Sequence, residues 1–172
     1  MKISILISIF IGSLLYSCSH SENHSLKGKS SDPFITIDFD SVVAYDFAGN
    51  THIPLIDSTG RITKTATKQV KLDSIKLNVF RNILMDTSVF GGSVVVDFYP
   101  HFGLAFYKNN RIVDHLEVSL MCNNIYASFK IPEQEKKKPD NFGLTEVGVQ
   151  KIWQFCKDLN FTQYLDKSQW PK

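Results

Sequence analysis

Sequence motifs that identify an enzyme are missing from this chain. It contains no G-x-S-x-G segment, no glycine-rich phosphate loop after a strand, no H-E-x-x-H pair and no carboxylate pair in a recognisable frame. Cysteine is also scarce, with three residues in 172, and no signature of a thiol enzyme surrounds Cys122. We therefore expect a binding or structural module rather than a catalyst, with no cofactor.

A strong net charge is absent as well. The 19 Lys and Arg residues nearly balance the 17 Asp and Glu residues, so the formal charge at pH 7 is +2. Such a balance provides no polybasic patch, and the run from Lys136 to Lys138 is typical of a solvated loop. The composition therefore argues against nucleic acid and against an acidic substrate as partners.

Long apolar runs are confined to the beginning of the chain. Residues 3–15 are apolar or small throughout and follow the positive charge of Lys2. As a helix, this run would span about 20 Å, which is short of the roughly 30 Å hydrocarbon core of a bilayer. The run predicts the apolar region of an export signal, and a permanent membrane span is the alternative.

The end of this run resembles the lipobox of bacterial lipoprotein signal peptides. That motif has a leucine three positions before an invariant cysteine and a small residue directly before it, and Leu15 and Ser17 stand at these positions relative to Cys18. The resemblance implies that the Cys18 thiol takes a diacylglyceryl group, that the chain is cut before Cys18, and that the new amino group is acylated. Two or three acyl chains, at about 0.8 kcal/mol per buried CH₂, would anchor the protein stably in a membrane.

The resemblance divides the chain into three parts. Residues 1–17 form the lipoprotein signal peptide, residues 18–33 form a flexible tether, and residues 34–172 form a single globular domain. The tether is polar apart from Leu26, and such a segment buries too little surface to offset its ordering entropy. Ser19, rather than an aspartate, follows the cysteine, which is typical of lipoproteins sent to the outer membrane. We expect a bacterial envelope protein on the outer membrane, facing the periplasm.

The first half of the predicted domain combines strands with one helix. Residues 34–40 alternate between apolar and polar, residues 43–47 continue this pattern, and residues 52–56 form a short strand between turn clusters. Apolar spacing then changes to that of an amphipathic helix, with Asp73 as its N-cap. The predicted inward stripe of this helix is Leu72, Ile75, Val79, Phe80, Ile83 and Leu84.

The second half contains the clearest tertiary prediction. After a short strand at residues 94–96, three consecutive antiparallel strands are expected at residues 102–108, 111–121 and 125–131. Two Asn-Asn pairs, 109–110 and 123–124, join them, and asparagine tolerates the positive φ of two-residue hairpin turns. A two-residue turn at 109–110 would place Phe106 near Val113 across the strands.

A second amphipathic helix is predicted near the end of the domain. Thr145 is its N-cap, and Leu144 and Val149 are spaced as a hydrophobic staple. Its inward stripe is predicted to be Val149, Ile152, Trp153, Cys156 and Leu159. The fold class that follows is α+β, an antiparallel β-meander sheet with the two amphipathic helices packed on one face.

The alternative to a binding module is a metal- or thiol-dependent envelope enzyme. His115 and Glu117 are two residues apart on a predicted strand and therefore share a face, and His101 at a strand entrance is able to approach them. Two imidazoles and a carboxylate are possible metal ligands, although their spacing is not diagnostic. Cys122 with either histidine is the corresponding thiolate and base. No metal is predicted, because ordinary polar residues on an exposed strand face give the same pattern.

Residues 94–124 resemble a segment of small bacterial envelope lipoproteins to which no activity is assigned. In those proteins a Cys-Tyr-x-Pro motif leads into a Phe-Tyr strand, and a Cys-x-x-Cys pair ends the next strand before an asparagine. Pro100, Tyr107 and Cys122 match this pattern, whereas Asp97 and Ser119 stand where two of the cysteines would be. The resemblance implies an envelope lipoprotein that lacks the thiol pair. Its partners would be the membrane, through lipidated Cys18, and either an envelope protein or a small ligand.

The two remaining cysteines are predicted to be unbonded. Cys156 lies on the apolar stripe of the second helix, where a thiol serves as a small hydrophobe, and Cys122 lies beside a turn at a strand end. A disulfide between them is the alternative in an oxidising compartment.

Overall fold

The computed structural model of the chain describes residues 31–48, 53–95 and 97–163. The predicted signal peptide, Cys18 and most of the predicted tether lie outside the described residues. In the described part, no helix is long and apolar enough to cross a membrane.

The described residues form seven strands and three helices. In chain order these are β1 (Ser41–Phe47), β2 (Ala66–Lys71), α1 (Ser74–Met85), β3 (Phe90–Gly92), β4 (Phe102–Lys108), β5 (Arg111–Ser119), β6 (Asn124–Ala127), α2 (Pro132–Glu135), β7 (Gly143–Leu144) and α3 (Glu146–Asp158).

The main sheet has five strands in the order β2-β1-β4-β5-β6, and every neighbouring pair is antiparallel. The predicted meander is confirmed for β4, β5 and β6, which follow one another both in sequence and in the sheet. β1 pairs with both β2 and β4, so the first two strands extend the meander on one side. β3 and β7 form a separate two-stranded sheet.

The turn between β4 and β5 is the predicted two-residue hairpin. Asn109 and Asn110 have φ values of 50° and 61°, and Lys108 pairs with Arg111 across the turn. A β-bulge beside Phe106 then shifts the register, so that this residue faces Asp114. The predicted pairing of Phe106 with Val113 is therefore wrong, because the bulge adds one residue to β5.

The N-terminus of α1 is the predicted one. The side chain of Asp73 accepts a hydrogen bond of 2.7 Å from the backbone N–H of Lys76 and so caps the helix. Its inward face is narrower than predicted, because Ile75 and Val79 are 74% and 47% exposed. The helix is held by Phe80 and its neighbours on that face, Leu77, Ile83 and Leu84.

The last helix also begins at its predicted cap, since the Thr145 hydroxyl accepts from the N–H of Gly148 at 3.1 Å. Ile152 and Cys156 are buried as predicted, but Phe155 is buried where the prediction has Trp153, which is only partly covered. The staple residues Leu144 and Val149 both belong to the core.

α1 and α3 pack on one face of the main sheet, and phenylalanine rings fill the space between the layers. Phe80 of α1 lies 5.6 Å from Phe102 of β4 and 5.0 Å from Phe155 of α3, measured between ring centroids. The Phe80–Phe102 pair packs edge to face, which stabilises a core beyond the area that it buries. The predicted α+β class is thus confirmed, with the helices on a single face.

Three predicted strands differ in the structure. Residues 33–36 form a turn instead of a strand, because the Asp32 carboxylate accepts from the N–H of Phe34 at 2.9 Å and Pro33 fixes φ. Residues 53–56 contribute one bridge, between Ile56 and Ile62. Val94 and Val95 are outside any strand, and residue 96 lies outside the described residues.

The last two strands of the meander end earlier than predicted. β5 ends at Ser119, and β6 covers Asn124–Ala127. Only Asn123 of the second Asn-Asn pair has positive φ, at 53°, because residues 120–123 form the turn and Asn124 is already in the strand.

Candidate functional site

The face of the sheet opposite the helices carries the ionisable side chains of Tyr45, His115 and Glu117. We call it the second face. Its apolar part is a small cluster of Tyr45, Phe47, Leu55 and Ala105. Residues 53–65, which we call the strap, lie between β1 and β2 in the chain. They cross the second face and cover part of it.

The strap is a folded segment that rests directly on the sheet backbone. The N–H of Thr63 donates to the carbonyl of Leu55 at 2.8 Å, and the Asp57 carboxylate accepts from the N–H groups of Thr59 and Arg61. Leu55 is held over Gly103 of β4, where a Cβ atom would lie 2.7 Å from the Leu55 Cδ2 atom. Gly103 is therefore required for the strap to approach the sheet this closely.

Glu117 lies beneath the strap. It pairs in register with Gly103 on β4 and Tyr126 on β6, and 3% of its side chain is exposed. The backbone N–H of Leu55 donates a hydrogen bond to its carboxyl group. Burial raises the pKa of Glu117 to about 7, and the bond from Leu55 only partly offsets this rise. Near pH 7 this carboxyl group is therefore close to half protonated.

His115 is the neighbour of Glu117 on the same face. Its Nε2 atom lies 3.6 Å from the Glu117 Oε1 atom, which is longer than a hydrogen bond. Burial lowers the pKa of His115, so its imidazole stays neutral near pH 7. The ring of Tyr126 lies 6.0 Å away, measured between centroids. With a neutral imidazole at this distance, His115 and Glu117 do not form an ion pair near pH 7.

His101 and Cys122 are placed elsewhere. The Nδ1 atom of His101 lies 2.8 Å from the carbonyl of Tyr99, and burial lowers the pKa of this imidazole. Cys122 is buried in the turn after β5, where its N–H donates to the Ser119 hydroxyl at 3.3 Å.

The metal site of the alternative enzyme interpretation, with His101, His115 and Glu117 as ligands, is not formed within the described residues. Within residues 31–48, 53–95 and 97–163, no three His, Cys, Asp or Glu side chains come together as metal ligands. The structure brings Glu117 and His115 together, as their spacing predicts, without joining His101 or Cys122 to them in such a group.

The two cysteines of the domain are unbonded, as predicted. Both Cys122 and Cys156 are free and buried. Complete burial of Cys156 against the helices raises the pKa of its thiol well above the ordinary value. The Cys156 thiol therefore lacks the depressed pKa that activates a nucleophile.

A groove that no sequence pattern predicts lies on the open part of the second face. We call it the tyrosine groove. It has a volume of about 410 Å³ and is lined by Ser41, Val43, Tyr45, Gln69, Lys71, Tyr107 and Asn110.

Two phenol groups meet in this groove. The hydroxyl groups of Tyr45 and Tyr107 lie 2.7 Å apart, and this contact together with burial raises the pKa of Tyr45. The register explains the contact, because the pair between them across β1 and β4 is Val43 with the small residue Ala105. Each tyrosine occupies an ordinary strand position, so only the strand order reveals that they meet.

No family model matches the chain, and no curated protein or solved structure is significantly similar to it.

Proposed function

We propose that this protein is a lipid-anchored protein of the bacterial envelope, held in the outer membrane and facing the periplasm. Its α+β domain acts as a binding module. The anchor rests on the sequence alone, since the apolar run of residues 3–15 ends at a lipobox-like segment with Cys18. The binding role rests on the tyrosine groove, which is the observation that carries this part of the proposal.

The chemistry of the groove suits a polar partner that offers oxygen acceptors. Gln69 and Lys71 are exposed on β2 and place an amide and an ammonium group at the rim. The partly exposed ring of Tyr107, whose hydroxyl meets that of the buried Tyr45, provides aromatic surface beside these donors. Aromatic rings combined with a few fixed polar groups are the usual composition of a recognition site.

The groove is also rigidly supported. Tyr45 lies on β1, which is paired on both sides, and only 4% of the residue is exposed. Beside the groove, Asp40 donates its N–H to the carbonyl of Tyr107 at 2.8 Å, and the Asp40 carboxylate accepts from the N–H of Asn109 at 2.8 Å. A preformed surface of this kind loses little conformational freedom when it binds.

A pull-down from envelope membranes tests the binding role. The lipidated protein is used as bait in three forms: the natural sequence, a groove variant Gln69→Ala/Lys71→Ala, and a control variant Gln154→Ala/Lys157→Ala on the exposed side of α3. The two double variants remove the same residue types from different surfaces.

We expect an envelope component that is captured by the natural protein and by the control but is lost with the groove variant. The same set of captured molecules with all three baits would contradict the proposal that the groove binds a partner.

A further inference from the structure

A second property is suggested by the way the strap covers Glu117. The carboxyl group is buried between β4, β6 and the strap, and the N–H of Leu55 is bonded to it. This bond links the strap to the middle of the sheet. A buried carboxylate without a cationic partner is unfavourable, so the protonation of Glu117 bears directly on whether the strap stays closed.

The other ionisable groups near this carboxyl do not neutralise it. His115 is the closest, at 3.6 Å, and its imidazole is kept neutral by burial. Asp57 of the strap is occupied by its own turn with Thr59 and Arg61. The elements packed around Glu117 also carry other titratable or charged groups: Tyr45 and Asp46 on β1, His101 before β4, Tyr107 and Lys108 on β4, Arg111 and Asp114 on β5, Tyr126 on β6, and Arg61 and Lys64 on the strap.

We propose that the strap is a pH-controlled cover of the second face, closed while Glu117 is protonated and opened when Glu117 loses its proton to solvent. Opening lets water reach the carboxylate, which removes the cost of burying a charge. It also uncovers Leu55 and the apolar cluster beneath it, including Phe47 and Ala105. This inference goes beyond the binding role and does not depend on it.

The size of the pH effect on strap opening follows from the linkage between opening and proton binding by Glu117. The pKa of Glu117 is about 7 under the closed strap and returns toward the ordinary 4.5 when water surrounds the carboxyl. Opening is therefore favoured as pH rises, and the ratio of open to closed forms should increase about tenfold between pH 6 and pH 8.

Hydrogen exchange measured by mass spectrometry on the full chain tests this cover. In the closed form the N–H of Leu55 is bonded to the Glu117 carboxyl, so this amide exchanges when the strap leaves the sheet. After correction for intrinsic exchange, peptides from residues 53–65 should lose protection about tenfold between pH 6 and pH 8. Peptides from β4 should keep their protection, because the sheet itself stays folded.

Glu117→Gln keeps the shape and the acceptor oxygen but cannot ionise, so its strap should exchange equally at both pH values. The exposed Glu135 on α2 provides the matched control, and Glu135→Gln should behave like the natural chain. Equal loss of protection in Glu117→Gln, or none in the natural chain, would overturn the proposal.

A carbon NMR titration of the natural chain provides a readout that needs no variant. The Glu117 carboxyl should titrate near pH 7, and a midpoint near 4.5 would overturn the proposal even if Glu117→Gln failed to fold.

Discussion

Asp46 and Thr162 are 116 residues apart in sequence, and the Asp46 carboxylate accepts a hydrogen bond of 2.8 Å from the backbone N–H of Thr162. The same carboxylate accepts from the Thr162 hydroxyl at 3.3 Å and from the N–H of Gln163 at 3.4 Å. Lys68, the partner of Asp46 across β1 and β2, donates to the carbonyls of Leu159 and Asn160. One cross-strand pair thus fixes the segment that follows α3.

This relationship predicts a graded loss of stability. Asp46→Ala removes the charged acceptor of these partly buried hydrogen bonds, which should cost about 1.5–3 kcal/mol. Asp46→Asn keeps one acceptor oxygen and should cost less. Urea denaturation measures both variants, with the exposed Asp140→Asn as a control that stays near the natural stability. Equal stability of Asp46→Ala and the natural protein would show that this anchor contributes nothing.

The β4–β5 turn makes a prediction about backbone conformation. Asn110 has a φ of 61°, which glycine adopts freely, so Asn110→Gly should be neutral or slightly stabilising. Proline fixes φ near −65°, so Asn110→Pro should be clearly destabilising. The midpoints of urea unfolding should differ between the two variants, and coincident midpoints would contradict the observed turn.

The raised pKa of Glu117 makes the stability of the folded protein depend on pH. Its pKa is about 7 in the folded protein and near 4.5 when unfolded, so the folded state binds more protons between these values. The stabilisation is complete below pH 4.5 and is lost as pH rises through 7, a change of about 3 kcal/mol. Glu117→Gln should remove this loss. A natural protein that is equally stable at pH 5.5 and pH 8.5 would contradict the prediction.

The burial of His115 has the opposite effect on how folding stability depends on pH. Its pKa is lowered in the folded protein, so the folded state binds fewer protons than the unfolded state below the ordinary pKa of about 6.5. This contribution to stability is present above that value and is lost as pH falls through the lowered pKa. Its removal by His115→Gln should therefore flatten the acid side of the stability profile and leave the alkaline side unchanged.

The free thiols can be counted directly. Unfolding the purified protein without reductant and then alkylating it should add one label to Cys122 and one to Cys156. Mass spectrometry measures the labels. A protein that gains no label at these two positions would contain the disulfide that the structure lacks.

Local chemistry explains which parts of the fold the sequence predicts well. Asp73 and Thr145 cap helices through their own side chains, and Asn109 and Asn110 form a turn by their own tolerance of positive φ. Such features depend on a few neighbouring residues. The predictions for residues 34–40 fail for a related reason, because one local turn at Pro33 overrides an alternating pattern.

The candidate site was less predictable, because it depends on contacts between distant residues. Glu117 lies on the polar side of β5, a pattern that predicts an exposed side chain. It is buried in the structure, where the strap from a distant part of the chain covers it. Tyr45 and Tyr107 meet across 62 residues through the pairing of β1 with β4. No sequence pattern encodes that pairing, since β2, α1 and β3 lie between the two strands in the chain.

The proposed lipid anchor at Cys18 is tested most directly by labelling cells with a clickable fatty acid. Cys18→Ala is compared with the natural protein and with Cys122→Ala, which removes a different cysteine. We expect label on the natural protein and on Cys122→Ala, and an unlabelled, uncleaved precursor for Cys18→Ala. Unchanged incorporation in Cys18→Ala would contradict the proposal of a lipid-anchored envelope protein.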